Sequence, residues 1–346
     1  MTRKPPKQPD PSLASPSLFS PSYADWENQP EESLVHWMTE QDIASSSQKV
    51  YKSMWGKFNK WREERGLSLG DVTSRHLDAF LDQAKKDKKT GESGPLEKHH
   101  RYRYVRLIER VYAALARHKP GLVNPGSKAA KENVGRGMND ASAFLTRQQR
   151  VDLIHHLTQG EEREKKNKAT EWREVRDRAI AAVILGGGIK AGEIRQMSVN
   201  CVIDSGEWLE IRHGKRLHRT RLLPFAKELL ARWMEVRAAS GTEGDVLFPS
   251  AVKYPKAIKA KKGETPNRMS SAALYRLVKR EIDAAGVKLD ARKAPQTLRN
   301  TFAAMLFDAG ESDGLVAEYL GIKEPANVGR IRAHYKMMQS KGVIRG

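Results

Sequence analysis

The stretch RDRAIAAVILGGGIKAGEIRQM, at positions 176–197, contains the longest apolar run of the chain, over 179–189. That run has about half of the roughly 20 residues that a membrane-spanning helix needs. We therefore interpret its first part as a helix in the core of a globular domain, which ends at three consecutive glycines. Lys190 and Glu193 come directly after this turn.

The charge balance around this core indicates a polyanionic partner. The 346 residues include 62 Lys and Arg against 42 Asp and Glu, a formal net charge of +20. Nucleic acid is the first class of partner for such a surplus, and an acidic membrane surface is the second. A single cysteine, Cys201, excludes a disulfide framework and a cysteine-rich zinc module. With no signal segment evident at the N-terminus, we expect a soluble intracellular protein that binds nucleic acid.

The composition changes along the chain and predicts four segments. Residues 1–32 hold seven of the sixteen prolines, interleaved with serine. We expect a disordered arm there, which either stays free or docks on DNA or on a partner protomer. A helical module is predicted over 33–120, a linker rich in Pro, Gly and small polar residues over 121–143, and a second module over 144–346.

The helical module has a basic face on its third helix. Apolar residues at three- and four-residue steps predict a first helix that ends at Gly66, a second capped by Thr73, and a third over 99–117. The polar face of the third helix carries four arginines, Arg101, Arg103, Arg106 and Arg110. A solvated surface explains such charges in most proteins, but the net charge makes a face that contacts DNA phosphates an equal alternative.

The second module is predicted to be mainly helical with a small β-sheet. Thr146 and Gln149 have the spacing of a capping box, which predicts the start of its first helix. Two strands, 208–212 and 221–224, flank a basic turn at 213–216. Further helices are predicted at about 225–239, 270–285, 296–309 and 313–320, with a Lys-rich exposed loop at 252–266.

Six segments of the second module follow one another in a recognisable order. They are FLTRQQRVDLI, RDRAIAAVILGGGIKAGEIRQM, HGKRLHRTRLLPF, DVLFPS, APQTLRNTFAAMLFDAG and EYLGI. Together with SSSQKVYKSMWGKFNKWREERGLSLGDVTSRHLDAFL, this order resembles the tyrosine recombinases, the phage-integrase family, over about 33–340. The resemblance implies a two-domain fold that is mainly α with a small β-sheet. A helical SAM-like core-binding domain would occupy 33–120, and an α+β catalytic domain would occupy 144–346.

The resemblance also implies a catalytic set. Tyr335 stands where the family has its nucleophile, which attacks a DNA phosphodiester and leaves a 3′-phosphotyrosyl enzyme with a free 5′-hydroxyl. Arg299 stands at the second arginine, Lys215 at the β-hairpin lysine, and Glu193 at a carboxylate that orients the first basic residue, Lys190. Because the intermediate keeps the bond energy, the family's chemistry needs no cofactor and no metal, and the chain has neither a P-loop nor metal-ligand spacing.

Three positions depart from the family pattern. Lys190 stands in place of arginine and lacks the planar fork that binds a phosphate with two hydrogen bonds. Gln296 replaces the histidine of His-x-x-Arg and cannot carry a proton near neutral pH. Ile322 follows Leu320-Gly321, where the family commonly has His or Trp.

The interval from Ile322 to Tyr335 is about four residues longer than the family's usual spacing. The nucleophile would therefore either approach by a different path or be supplied to a neighbouring protomer. Residues that we considered for the vacated roles are His334, Arg195 and Arg292. Since neighbours in the chain point apart, His334 and Tyr335 would not readily reach the same atom.

These observations predict a site-specific DNA recombinase or integrase of the tyrosine class. The alternative is a DNA-binding accessory or regulatory protein on the same fold, with strand cleavage impaired, and a type IB topoisomerase-like nicking activity is the third reading. We expect double-stranded DNA as the partner, a homotetramer on paired sites or partner recombinases, and a cytoplasmic location at the nucleoid. Further candidate DNA contacts are Arg216, in the basic turn, and Arg268.

Overall fold

A computed structural model describes residues 20–43, 45–86, 93–127, 143–159, 168–213, 216–251, 267–289 and 292–342. The chain divides into two compact units, Met1–Asp140 and Ala141–Gly346. The expected fold class, mainly α with a small β-sheet, is confirmed. Of the helices in the described ranges, none is both long enough and apolar enough to cross a membrane.

In its described residues, the first unit is helical apart from one short strand pair. Its elements are α1 (Tyr23–Asn28), α2 (Pro30–Glu40), α3 (Ser45–Glu63), α4 (Ser74–Gln83), β1 (Lys85–Lys86), β2 (Ser93–Gly94) and α5 (Lys98–Leu115). The aromatic stripe of α3 is buried, and Phe58 lies 5.3 Å from Phe80 of α4, centre to centre. As predicted, Gly66 takes a positive φ of 63° after α3, and Thr73 caps α4 by accepting a hydrogen bond from the N–H of His76.

The predicted disordered arm over 1–32 is too long. A capping box at Ser22 begins α1, and Trp26 is only 2% exposed in the core of the first unit. The ring of Trp26 meets Trp55 edge-on, with 5.8 Å between the ring centres. The high content of Pro and Ser led to the prediction of disorder. One buried tryptophan and a local cap are nevertheless enough to order this segment. Residues 1–19 lie outside the described residues.

The first part of the predicted linker, 121–143, packs on the first unit. The side chain of Asn124 donates a hydrogen bond of 2.8 Å to the carbonyl of Glu109 on α5. Gly126 lies so close to the same helix that a β-carbon there would be 2.9 Å from the backbone nitrogen of Glu109. Residues 128–142 are outside the described ranges.

The second unit surrounds the apolar helix with which the sequence analysis began. Its helices are α6 (Arg147–Thr158), α7 (Lys168–Gly187), α8 (Ala191–Ile194), α9 (Pro224–Ala239), α10 (Ser271–Ala284), α11 (Pro295–Asp308), α12 (Asp313–Tyr319) and α13 (Pro325–Ser340). The antiparallel sheet has the order β3 (Val202–Ile203), β4 (Trp208–His213) and β5 (Arg216–Arg221). The apolar run of α7 is buried, with α9 and α11 packed against it, and the capping box of Thr146 and Gln149 is present.

Several elements of the second unit differ from the predictions, among them β3 and α8, which were not predicted. The second strand of the hairpin was expected over 221–224 but ends at Arg221, because Pro224 occupies the first position of α9, where its fixed φ favours a helix. Helix α13 was not predicted, although it carries Tyr335. The predicted Lys-rich loop at 252–266 lies outside the described residues.

Candidate active site

The end of α7 sets the position of Lys190. Gly188 takes a φ of +67°, and a β-carbon on it would lie 2.4 Å from the ring of Phe302, so a side chain has no room there. The chain then turns into the short helix α8, which begins with Lys190 as its N-cap residue. Both the backbone N–H and the ammonium of Lys190 donate to the carboxylate of Glu193, each at 2.9 Å. The predicted pairing of these two residues is therefore present.

Arg299 joins two loops beneath this turn. Its side chain, on α11, is buried, and its guanidinium donates to the carbonyl of Gly188 and, at 2.6 Å, to the carbonyl of Leu320. One arginine thereby holds the loop before Lys190 against the end of α12. Burial lowers the pKa of Arg299 to about 10, against the opposing charge of Glu193, so the guanidinium remains charged at neutral pH.

His218 is a member of this cluster that the sequence analysis missed. It lies on the inner face of β5, together with Thr220, and its ring is seated on Gly321. Gly321 has a φ of +58°, and a β-carbon there would be 2.6 Å from Nδ1 of His218. The Nε2 atom of His218 is buried and has no hydrogen-bond partner among the described residues. Side chains along a strand point alternately to its two faces. This two-residue period was the one signal that could have placed His218 with Thr220 on the inner face of β5.

The charges of the cluster act on one another. Burial lowers the pKa of His218, and the nearby positive charges of Lys190 and Arg299 lower it further, against the opposing effect of Glu193. Burial alone would raise the pKa of Glu193, but its hydrogen bonds to Lys190 and the charge of Arg299 outweigh burial, and the pKa lies below its ordinary value. The cluster thus holds two cations, one carboxylate and a neutral imidazole at neutral pH, a net positive site.

Two predicted positions contribute little to the cluster. Gln296, at the first turn of α11, is exposed, and its amide donates a 2.7 Å hydrogen bond to Asn300. Ile322 packs with its apolar side chain against the core near α12. Lys215 lies outside the described residues, and of Arg216 only the backbone, at the start of β5, is described.

Tyr335 lies apart from Arg299. Its hydroxyl is 2.9 Å and 3.0 Å from the two carboxylate oxygens of Asp308, the last residue of α11. Asp308 also forms an ion pair with Arg150, with 2.9 Å between the guanidinium nitrogen and the carboxylate oxygen. Asp308 lies nine positions after Arg299 on α11, which corresponds to about 13.5 Å along the helix axis. The structure therefore does not bring the predicted nucleophile to the cluster around Arg299.

The surroundings of Tyr335 keep it protonated. The side chain is only 2% exposed, and its ring centre is 5.1 Å from that of Phe144. Burial and the hydrogen bond to Asp308 raise its pKa to about 12. A tyrosine in this position donates a hydrogen bond readily and is a poor nucleophile until it leaves the carboxylate.

The residues considered as substitutes are bound elsewhere or lie beside the core. Arg195 donates to the carbonyl of Met269 at 2.7 Å, and the guanidinium of Arg292 lies 5.4 Å from the ring centre of Tyr275. The ring of His334 is 5.9 Å from that of Phe144, and its Nε2 is buried without a partner among the described residues.

The arginine face of α5 is partly neutralised within the first unit. Arg101 pairs with Asp78 at 2.7 Å and with Asp82 at 2.6 Å, Arg106 pairs with Glu109, and Arg110 lies over the ring of Trp37. Within the described part of the chain, no carboxylate pairs with Arg103, which is exposed. The phosphate-contacting face of four arginines therefore stays a prediction, and Arg103 is its exposed member without a carboxylate partner among the described residues.

Arg103 lines a groove of about 540 Å³ between α3, α5 and the β1–β2 strand pair. The basic residues on its walls are Lys49, Lys57, Lys85, His100 and Arg103. A second basic surface in the second unit surrounds Tyr275 and includes Arg276, Lys279, Arg292 and Lys293, with Asp283 as its acidic member. Arg268 is exposed ahead of α10.

A possible metal-binding group in the described ranges lies beside the first groove. Ligand atoms of Glu97, His99 and His100 are within 4.8 Å of one another. The ammonium of Lys85 lies 3.7 Å from Glu97 and opposes the binding of a cation there.

Comparisons with known proteins find related sequences and a related fold. A family model described as "Phage integrase family" matches residues 144–337. Tyrosine recombinase XerC of Haemophilus influenzae (strain PittEE) is 24% identical over 160 residues, which cover 45% of this chain and 48% of that protein. The match thus spans about half the length of that relative. Tyrosine recombinase XerD of Corynebacterium glutamicum is 23% identical over 297 residues, 83% of this chain and 87% of that protein.

A solved structure shares the fold. The crystal structure of the XerH site-specific recombinase bound to palindromic difH substrate, a post-cleavage complex, superposes with a TM-score of 0.63. The likeness covers 92% of this chain and 84% of that one, at 18% sequence identity. At that level of identity, the likeness establishes the fold.

Proposed function

Because the chain belongs to the phage integrase family, we propose that it is a site-specific DNA recombinase that cuts and rejoins strands through a 3′-phosphotyrosyl intermediate. The observation that carries the proposal is the buried, charged Arg299 beside Lys190 and His218, with Glu193 as the one carboxylate of this cluster among the described residues. A partly buried site with excess positive charge is suited to an anion that gains charge in the transition state. Phosphoryl transfer from DNA presents such an anion.

The proposed reaction uses Tyr335 as the nucleophile. Its oxygen forms a bond to the phosphorus while the bond from phosphorus to the 5′-oxygen breaks. The tyrosine loses one proton, and the 5′-oxygen gains one, for which Lys215 is the proposed donor. Lys190 and Arg299 would stabilise the charge on the non-bridging oxygens, with Lys190 oriented by Glu193.

Attack by Tyr335 requires its release from Asp308. Two routes are open: movement of α13 within one protein, or delivery of Tyr335 to a neighbouring copy. Both begin with loss of the hydrogen bond that now holds the hydroxyl at the far end of α11. We propose that DNA binding supplies this change, and that the protein acts as an assembly of several copies on paired sites.

The two basic surfaces are the proposed DNA contacts. In the first unit, Lys49, Lys57 and Arg103 line the groove without a carboxylate partner among the described residues. In the second, Arg276 and Arg292 flank Tyr275. Phosphate contacts of this kind release counterions, so the affinity for duplex DNA should fall steeply with salt. The proposed place of action is chromosomal DNA in the cytoplasm, at the nucleoid.

A covalent-trapping experiment tests the function. A duplex selected by the protein from a random library is rebuilt with a nick beside the cleavage position, so that the released short strand diffuses away. The wild-type protein should accumulate a covalent adduct with the DNA, and Tyr335→Phe, which keeps the ring and removes the nucleophile, should give none. If gel shifts persist while the wild type forms no adduct, the protein is an accessory DNA-binding protein and the proposal is wrong.

A further inference from the structure

The proposed reaction needs a group that accepts the tyrosine proton, and the family positions of this chain do not supply one. Gln296 stands at the histidine position, and its exposed amide donates to Asn300. Ile322 has no donor or acceptor in its side chain. A neutral amide and an alkyl group cannot hold a proton near neutral pH. The acceptor, if this protein reacts as proposed, must come from another element.

His218 is placed for this role by contacts on several sides. Its backbone pairs with Ile211 of β4, so the sheet fixes the strand position. Its ring rests on Gly321, where the left-handed backbone and the missing β-carbon make room for the imidazole. Gly321 follows Leu320, whose carbonyl is held by Arg299 at 2.6 Å. The residue that would bind the phosphate therefore also holds the surface on which His218 lies.

Packing alone does not explain why a histidine occupies position 218. A histidine in a core ordinarily bonds through its ring nitrogens, since a buried polar atom without a partner is destabilising. Its Nε2 is buried and meets no partner among the described residues. The charged groups that act on it are Lys190 and Glu193 from α8 and its N-cap, and Arg299 from α11, the same groups that form the proposed phosphate site.

We propose that Nε2 of His218 is the general base of the cleavage step. Neutral His218 takes the proton from the tyrosine hydroxyl as the bond from that oxygen to phosphorus forms. The bond from phosphorus to the 5′-oxygen breaks, and Lys215 gives that oxygen its proton. On rejoining, the 5′-hydroxyl attacks the phosphorus and gives its proton back to Lys215, the bond from phosphorus to the tyrosine oxygen breaks, and the imidazolium returns its proton to that oxygen. This role rests on the proposed function, because it has no meaning without a tyrosine that attacks DNA.

The inference is tested by the single-turnover rate of adduct formation on the nicked duplex, measured against pH. In the wild type, the rate should fall on the acidic side as His218 takes up a proton. His218→Gln should lower the plateau rate by about 10²–10⁴-fold, the usual effect of losing a general base, and should abolish the acidic fall. His334→Gln is the matched control, since His334 also has a buried, unpartnered Nε2, and it should keep the acidic fall.

A second variant distinguishes loss of the base from a folding defect. His218→Ala should be slow, and added imidazole should restore a large part of its rate, an effect that repair of packing alone would not produce. If His218→Gln forms the adduct with the rate and pH profile of the wild type, or if His334→Gln loses the acidic fall, His218 is not the base and the recombinase function stands. If the wild type forms no adduct at all, the function itself fails, and this inference fails with it.

Discussion

Asp308→Asn should speed DNA cleavage although it weakens the protein. The substitution keeps the size of the side chain and replaces the charged acceptor of the Tyr335 hydroxyl with a neutral one. Hydrogen bonds to charged groups contribute about 1.5–3 kcal/mol, and neutral ones about 0.5–1.5 kcal/mol, so the restraint on Tyr335 weakens by about 1 kcal/mol. A change of that size raises the population with a free hydroxyl about fivefold. Removal of the neighbouring negative charge should also lower the pKa of Tyr335 from about 12, while burial, the largest cause of the shift, keeps it above the ordinary value of 10.

The assay is the single-turnover rate of adduct formation on the nicked duplex at saturating protein, where a rise of about fivefold is expected if release of Tyr335 limits the rate. Asp313→Asn is the matched control, because Asp313, on α12, pairs at 2.6 Å with Arg332 of α13, the helix that carries Tyr335, and has the same side-chain exposure as Asp308, 37%. Both variants should lose about 1 kcal/mol of stability with their ion pairs. An equal or lower rate for Asp308→Asn, or an equal rise in the control, would refute the idea that Asp308 restrains the nucleophile.

Four further outcomes are expected. Lys190→Arg should speed cleavage by up to about 10²-fold by restoring a second fork on the phosphate, and an unchanged rate would mean that Lys190 does not contact it. Gly321→Ala should lower the melting temperature more than Gly310→Ala, because both have positive φ but only the first β-carbon meets His218, at 2.6 Å. Arg103→Ala should weaken duplex binding and reduce the salt slope by about 1 in gel shifts, and an unchanged slope would exclude a phosphate contact. Because the folded-state pKa of His218 lies below its ordinary value of 6.5, the unfolded chain binds the proton first as pH falls, so stability should be full above about 6.5 and decline below it. In thermal melts, His218→Gln should show a smaller decline.

Local patterns predicted most of the helices. The apolar stripe of α3, the cap at Thr73 and the capping box at Thr146 depend on residues three or four positions apart, and each is present. The pairing of Lys190 with Glu193, which the family resemblance implied, also spans only three positions. Interactions this short are set by the geometry of one helical turn, so they can be inferred from the order of residues.

Composition was a poorer guide where a few contacts decide the outcome. The prolines and serines of 1–32 predicted disorder up to Glu32, yet Trp26 fills a place in the first core. Four arginines on α5 predicted one basic face, yet Arg101 is balanced by Asp78 and Asp82 from another helix. A count of residue types has no information on which partners the fold brings within hydrogen-bonding distance.

The sequence by itself determined the charge of the protein, the order of its elements and the residue types available for chemistry. Tertiary structure decided which of them meet. Arg299 reaches a carbonyl 111 positions away, and Arg150 reaches an aspartate 158 positions away that also holds Tyr335. His218 joins the cluster only because a strand, a glycine turn and a helix converge on its ring. Such contacts depend on how apolar faces pack around α7, and packing is a property of the whole core, which is why they appear only in the folded chain.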